Sequence, residues 1–152
     1  MANESADMSQ RQQATREIYE KLFFEHFTSL SPEVTAEGRT SFHHSEYQRV
    51  LGLRPDDFRS CSILESGCGP GSHSLILSNL VGPKGRLRSF DLSPVNIEKG
   101  RELLVSNRAL SNFVFSVSDA ETFVINEPPF DIVIRIIGCT TAMTHYVRYS
   151  TS

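Results

Sequence analysis

The chain of 152 residues has no tryptophan, only three cysteines, no surplus of basic charge and no long apolar run. Each shortage excludes something. No stretch approaches the roughly 18 apolar residues that span a bilayer, so no membrane helix is expected. The cysteines, Cys61, Cys68 and Cys139, are odd in number and lack metal-ligand spacing. They fit reduced thiols in a cytoplasmic protein rather than a disulfide framework or a metal site. With 15 Lys and Arg against 18 Asp and Glu, the net charge of −3 offers no field for a phosphate backbone. No nucleic-acid partner is therefore expected. The polar start, Met1 to Arg16, also lacks the apolar centre of a signal peptide. Glycine is sparse too, with nine in all, yet three of the nine stand at Gly67, Gly69 and Gly71.

What is present fits one globular domain: 39% hydrophobic and 22% charged residues, in a length that can bury a core. Residues 1–10 are polar without apolar partners and are expected to be a disordered tail. Residues 11–60 form an N-terminal helical segment. A helix is expected from Gln12 to Ser29 on an Ile18, Leu22, Phe23 stripe, then a loop over Leu30–His44, where Ser31-Pro32 and Gly38 break the pattern. A short helix over Ser45–Leu51 should end at Gly52. An alternation follows over 61–137: strands at Cys61–Leu64, Leu87–Leu92, Phe113–Val117 and Asp131–Ile137, with helices at Ser72–Leu80 and from Ser93-Pro94 to Asn107. Ser93 suits the cap and Pro94 the first helical position. Such spacing predicts right-handed crossovers and an α/β fold, a Rossmann-like parallel sheet sandwiched by helices.

The chemistry centres on Ile63-Leu64-Glu65-Ser66-Gly67-Cys68-Gly69-Pro70-Gly71, with Asp91 twenty residues beyond Gly71. A strand ends in an acid, breaks into alternate glycines and gives way to a helix, whose terminal amides suit anions or polar ligands. Asp91 ends the next strand, where a carboxylate can accept from both hydroxyls of a ribose. A dinucleotide site would want Gly-x-Gly-x-x-Gly. Here the third glycine comes one residue early and Pro70 removes an amide, which weighs against NAD and favours an adenosine ligand without phosphates.

These residues resemble those of class I methyltransferases that use S-adenosylmethionine. Leu64 to Ser72 is similar to that family's first motif and Phe90-Asp91-Leu92-Ser93 to the end of its second strand. Ser118-Asp119-Ala120-Glu121 is similar to the turn after its third strand, and Pro129 to Ile134 to the opening of its fourth. The resemblance implies cofactor contacts residue by residue. Glu65 would meet the methionine end through water, and the backbone at Gly67, Cys68, Gly69 and Gly71 would pack along the cofactor. Asp91 would hold the ribose hydroxyls with Leu92 against the adenine, while Asp119 and the Ala120 amide would meet the ring edge. It also implies methyl transfer to a small-molecule acceptor. No catalytic residue and no metal ligand is identified.

Other interpretations stand beside these. The glycine turn can be a plain strand–helix connection, Glu65 or Asp119 a cap, Cys68 a space-filling residue, and His73 an ordinary first-turn residue. His43-His44 with Glu46 suggests a base or metal site, but no matching ligand set accompanies it, so solvated loop histidines are expected. The sequence supplies about four of the seven strands usual in the resembled family, and then an atypical tail at 138–152. Arg135 would sit awkwardly in a strand buried on both faces, and the fourth strand would be left as an open apolar edge. That edge suggests a homo-oligomer. It also suggests the alternative of a non-catalytic cofactor-binding or strand-donating partner that completes itself against another chain.

Overall fold

The computed structural model describes residues 10, 12–15, 17, 32–107, 112–135 and 145–148. The chain divides into two compact units, Met1–Gly38 and Arg39–Ser152. In the first unit, residues 10, 12–15 and 17 are helical, which agrees with the start of the helix expected from Gln12. The remainder of that helix from Ile18, residues 1–9 of the disordered tail expected over 1–10, and Cys139 lie outside the described residues, while Gln10, the last residue of that expected tail, is helical.

Helix α1 covers Pro32–Leu51, so the loop expected over Leu30–His44 is helical from Pro32 onward. Pro32 stands at the first helical position, where its missing N–H costs nothing. Gly38 in a helix interior costs only about 1 kcal/mol relative to alanine, too little to end the helix. Gly52 does end it, at φ +65 with its N–H donating to Gln48 O at 3.0 Å. After a short 3-10 turn at Pro55–Phe58 come β1 (Ser62–Ser66), α2 (Ser72–Val81), β2 (Arg86–Asp91), α3 (Pro94–Ser106), β3 (Phe113–Val117), β4 (Ile132–Arg135) and β5 (His145–Arg148). Ser93 caps α3 by accepting from Asn96 N at 3.2 Å, with Pro94 inside the first turn.

The sheet order is β3-β2-β1-β4-β5. The first four strands are parallel, which bears out the α/β Rossmann-like fold. The fifth strand departs from expectation. Its residues pair antiparallel with β4, from Ile132 opposite Arg148 to Arg135 opposite His145. The fourth-strand edge expected to stand open, and to invite a second copy or a donated strand, is therefore already closed by the tail of the same chain. Arg135 needs no buried partner either, because it is exposed at the strand end. The start of β4 is fixed to β1 by Asp131, whose carboxylate accepts from Ser62 N at 2.7 Å and Ser62 Oγ at 2.8 Å.

Alternation along the strands gives the sheet two faces. On one, Ile63, Leu87, Ile132 and Ile134 pack with Leu77 and Val81 of α2, Tyr47 of α1 and Phe58. Beyond them, Phe115 packs with Ile97 and Leu104 of α3. On the other face Leu64 and Phe90 pack with Phe130 from the segment after β3, and Phe123 and Val133 lie against that cluster.

Candidate cofactor site

The glycine turn lies at the carboxyl ends of β1 and β2, where open parallel sheets bind ligands. Gly67, Gly69 and Gly71 all have positive φ, at +73, +53 and +87. At Gly71 the demand is also steric, since a Cβ there would lie 2.8 Å from Gly100 Cα in α3. The close approach that Gly71 allows is between α2 and α3.

The turn's amides are largely committed within the chain. Gly67 N and Cys68 N donate to Phe90 O at 2.9 and 3.1 Å, and Gly71 N donates to Cys68 O at 3.2 Å. Gly69 N donates to Asp91 Oδ2 at 2.9 Å. Asp91 Oδ1 accepts from Ser93 N at 2.9 Å, so this one carboxylate ties the glycine turn to the cap of α3. Asn96 Nδ2 also donates to Oδ1, at 3.5 Å. Each carboxylate oxygen has about two acceptor directions, so one on Oδ2 remains open. Leu92 follows, half-buried. Ser118 N donates to Asp91 O at 3.0 Å, which places the Asp119–Ala120 turn beside the end of β2. There Asp119 Oδ1 accepts from Glu121 N at 2.9 Å, and Ala120 is exposed.

Glu65 is fully buried and does not face the open side of the turn. Its Oε1 lies 2.7 Å from His73 Nδ1, and its Oε2 accepts from Ser74 Oγ at 2.5 Å and Ser89 Oγ at 2.7 Å. Burial pushes this carboxyl up, but the His73 hydrogen bond and charge, with the two hydroxyls, outweigh it and hold the group below its ordinary value. Cys68 goes the other way. Its thiol is pushed well up, first by burial and then by the negative charges of Glu65 and Asp91. Cys68 is thus a small buried residue and not an activated thiol.

His43 and His44 are half-buried on α1 and not in a solvated loop, and the His43 ring lies 4.3 Å from that of His73, centroid to centroid. Among the described residues no group of three or more His, Cys, Asp or Glu could hold a metal. Two partners were not legible from sequence. Tyr47 hydrogen-bonds His73 Nε2 from 26 residues away, and Ser89 reaches Glu65 from β2. The only local hint was the Ser72-His73-Ser74 run after the turn.

A parallel sheet with a glycine turn held by the acid of the neighbouring strand defines a Rossmann-like α/β domain. More narrowly, the chain belongs to the methyltransferase domain family, whose match spans residues 57–148. Two curated relatives are arsenite methyltransferase of Rattus norvegicus, 30% identical over 48% of this chain and 21% of that one, and demethylmenaquinone methyltransferase of Symbiobacterium thermophilum, 24% identical over 80% and 46%. This chain therefore spans less than half the length of either. Among solved structures, coclaurine N-methyltransferase bound to N-methylheliamine and SAH shares the fold, with TM-score 0.51 and 21% identity over 64% of this chain and 26% of that one. Among the described residues, no helix is long and apolar enough to cross a membrane.

Proposed function

We propose that this chain is the cofactor-binding part of a methyltransferase that takes S-adenosylmethionine and passes its methyl group to a small-molecule acceptor in the cytoplasm. The observation that carries this is that two carboxylates flank the glycine turn, Asp91 bound to Gly69 N and Glu65 buried behind it. The pair gives the turn a negative potential, which adds to burial in disfavouring a thiolate at Cys68. The same negative potential disfavours a pyrophosphate and favours a sulfonium. The committed amides point the same way, because a pyrophosphate needs open N–H groups to cradle it. A neutral adenosine and a cationic sulfur need only a close, shaped backbone.

In this arrangement Asp91 would accept from the ribose hydroxyls, at the open direction of Oδ2 and at the one now taken at 3.5 Å by Asn96 Nδ2, while still holding Gly69 N. Leu92 would lie against the adenine, with Asp119 and the Ala120 amide at its edge. The glycines would allow close approach along the methionine chain. Glu65 would act from behind the turn, through its charge and its hold on α2, where the resemblance implied contact through water. The sulfonium is already activated toward in-line displacement, so the protein supplies mainly proximity and orientation.

Calorimetric titration of the chain with S-adenosylhomocysteine and, separately, NADH tests the assignment. Heat with the first and none with the second is expected. No heat with S-adenosylhomocysteine would overturn it.

A further inference from the structure

We infer that Tyr47 and His73 are positioning residues for the cofactor turn, and that through them α1 and the bound cofactor stabilise each other; this rests on the cofactor assignment above. The basis is a continuous buried chain of polar groups. Tyr47 is 0% exposed, His73 5% and Glu65 0%. An ionised carboxylate can only accept, so His73 Nδ1 carries the proton given to Glu65 Oε1 at 2.7 Å. Nε2 of the same ring is hydrogen-bonded to the Tyr47 hydroxyl. The ring of His43, one helical turn before Tyr47, covers the imidazole.

The position of this chain matters more than its stability. Glu65 stands two residues before Gly67, and His73 stands two residues after Gly71. Their contact therefore brackets the turn and fixes both of its stems from behind. Those stems need fixing. Three residues of positive φ lie between them, and α2 begins at Gly71 with no side-chain cap. His73 and Ser74, both bound to Glu65, hold the first turn of α2 in place of a cap. Tyr47 then extends the same chain of hydrogen bonds to α1. Apolar residues at 47 and 73 could fill this volume without desolvating three polar groups, so the polar chain specifies geometry more than it adds stability. Coupling of this kind is reciprocal, and a ligand that orders the turn must also order α1.

The test uses the full chain and Tyr47→Phe, which removes one hydroxyl, with His73→Asn as a second variant that can still donate to Glu65. Leu53→Ala, a buried change outside the polar chain, controls for general loss of stability. Amide hydrogen exchange at Gly71 and Leu75 in the ligand-free chain should quicken several-fold in Tyr47→Phe and His73→Asn but not in Leu53→Ala. Affinity for S-adenosylhomocysteine should fall about tenfold in the first two, the worth of one hydrogen bond, and hold in the control. Bound S-adenosylhomocysteine should slow exchange over residues 43–51 in the wild type and much less in Tyr47→Phe. Unchanged turn exchange in both variants would overturn the inference, as would Leu53→Ala matching them in exchange or affinity. If the wild type gives no heat with S-adenosylhomocysteine, the cofactor assignment fails by itself. Exchange in the ligand-free chains then decides the coupling alone.

Discussion

The two faces of the sheet are finished in different ways. On the face toward α1, α2 and α3, Ile63, Glu65, Leu87, Ser89, Ile132 and Ile134 are no more than 2% exposed, and Glu65 has a donor for each oxygen. The opposite face is covered over residues 118–131 by turns and irregular chain. There Arg86 lies over Phe130 and Arg88 over Phe123, and both arginines share the carboxylate of Glu127. Among the described residues, the buried side-chain polar atoms without a hydrogen-bond partner are Arg88 Nε and Ser116 Oγ, and both belong to this second face. Val114 beside them is 55% exposed. The difference teaches which side fixes the structure. The first face combines apolar burial with full polar pairing and holds the turn; the second is closed by looser contacts that tolerate exposure.

The largest effect should follow from breaking the polar centre of the first face. Glu65→Ala leaves His73, Ser74 and Ser89 without their shared acceptor and should cost about 3–5 kcal/mol of unfolding free energy, measured by denaturant titration. Its pH signature is specific. Glu65 is held below its ordinary value of 4.5 in the folded chain, so it binds its proton less readily folded than unfolded. Its contribution is therefore present in full above about pH 4.5 and is lost as the pH falls through the lower folded value. Thermal melts taken between about pH 6 and pH 3 should fall more steeply for the wild type than for Glu65→Gln. Parallel curves would mean that the charge of Glu65 does not stabilise this face.

Next comes the turn itself. Gly71→Ala places a Cβ 2.8 Å from Gly100 Cα and forces alanine to φ +87. Strain and overpacking together should cost about 2–4 kcal/mol, read as a lower melting temperature. A wild-type melt would show that α2 and α3 can part freely, and the first face would lose its claim to close packing. Asp91→Ala should be milder, about 2 kcal/mol in S-adenosylhomocysteine affinity, or roughly thirtyfold by calorimetry. Unchanged affinity would remove Asp91 from the ribose position.

The legible parts of this fold are those written by local chemistry. Ser93-Pro94 specifies the start of α3, and alternate glycines between a strand and a helix specify the turn. Asp91 was placed at the end of β2 because that position is close to the turn in any parallel pair. Where tertiary contacts decide, the sequence misled. Ser31-Pro32 and Gly38 resemble a broken loop, yet proline is at home in a first turn and one interior glycine is a small penalty. His145–Arg148 has too little alternation to announce a strand, and becomes one by pairing with β4. Tyr47 and His73 each look ordinary, and only folding across 26 residues makes them partners. The bound side of Glu65 was invisible for the same reason, since Ser74 and Ser89 declare nothing until α2 and β2 face β1.

The smallest effect gives the cleanest comparison of the two sides. Valine to threonine adds a hydroxyl at nearly constant shape, and its cost reports whether that hydroxyl can reach water. At Val81, 3% exposed beneath the first face, the hydroxyl is buried and Val81→Thr should cost about 1–3 kcal/mol. At Val114, 55% exposed on the second face, the hydroxyl stays hydrated and threonine suits a strand, so Val114→Thr should stay within about 0.5 kcal/mol of wild type. Denaturant titration of the two variants side by side measures the contrast. Equal costs at the two positions would mean that the second face is as dry in solution as the first, and the distinction between a specifying face and a tolerant one would fall.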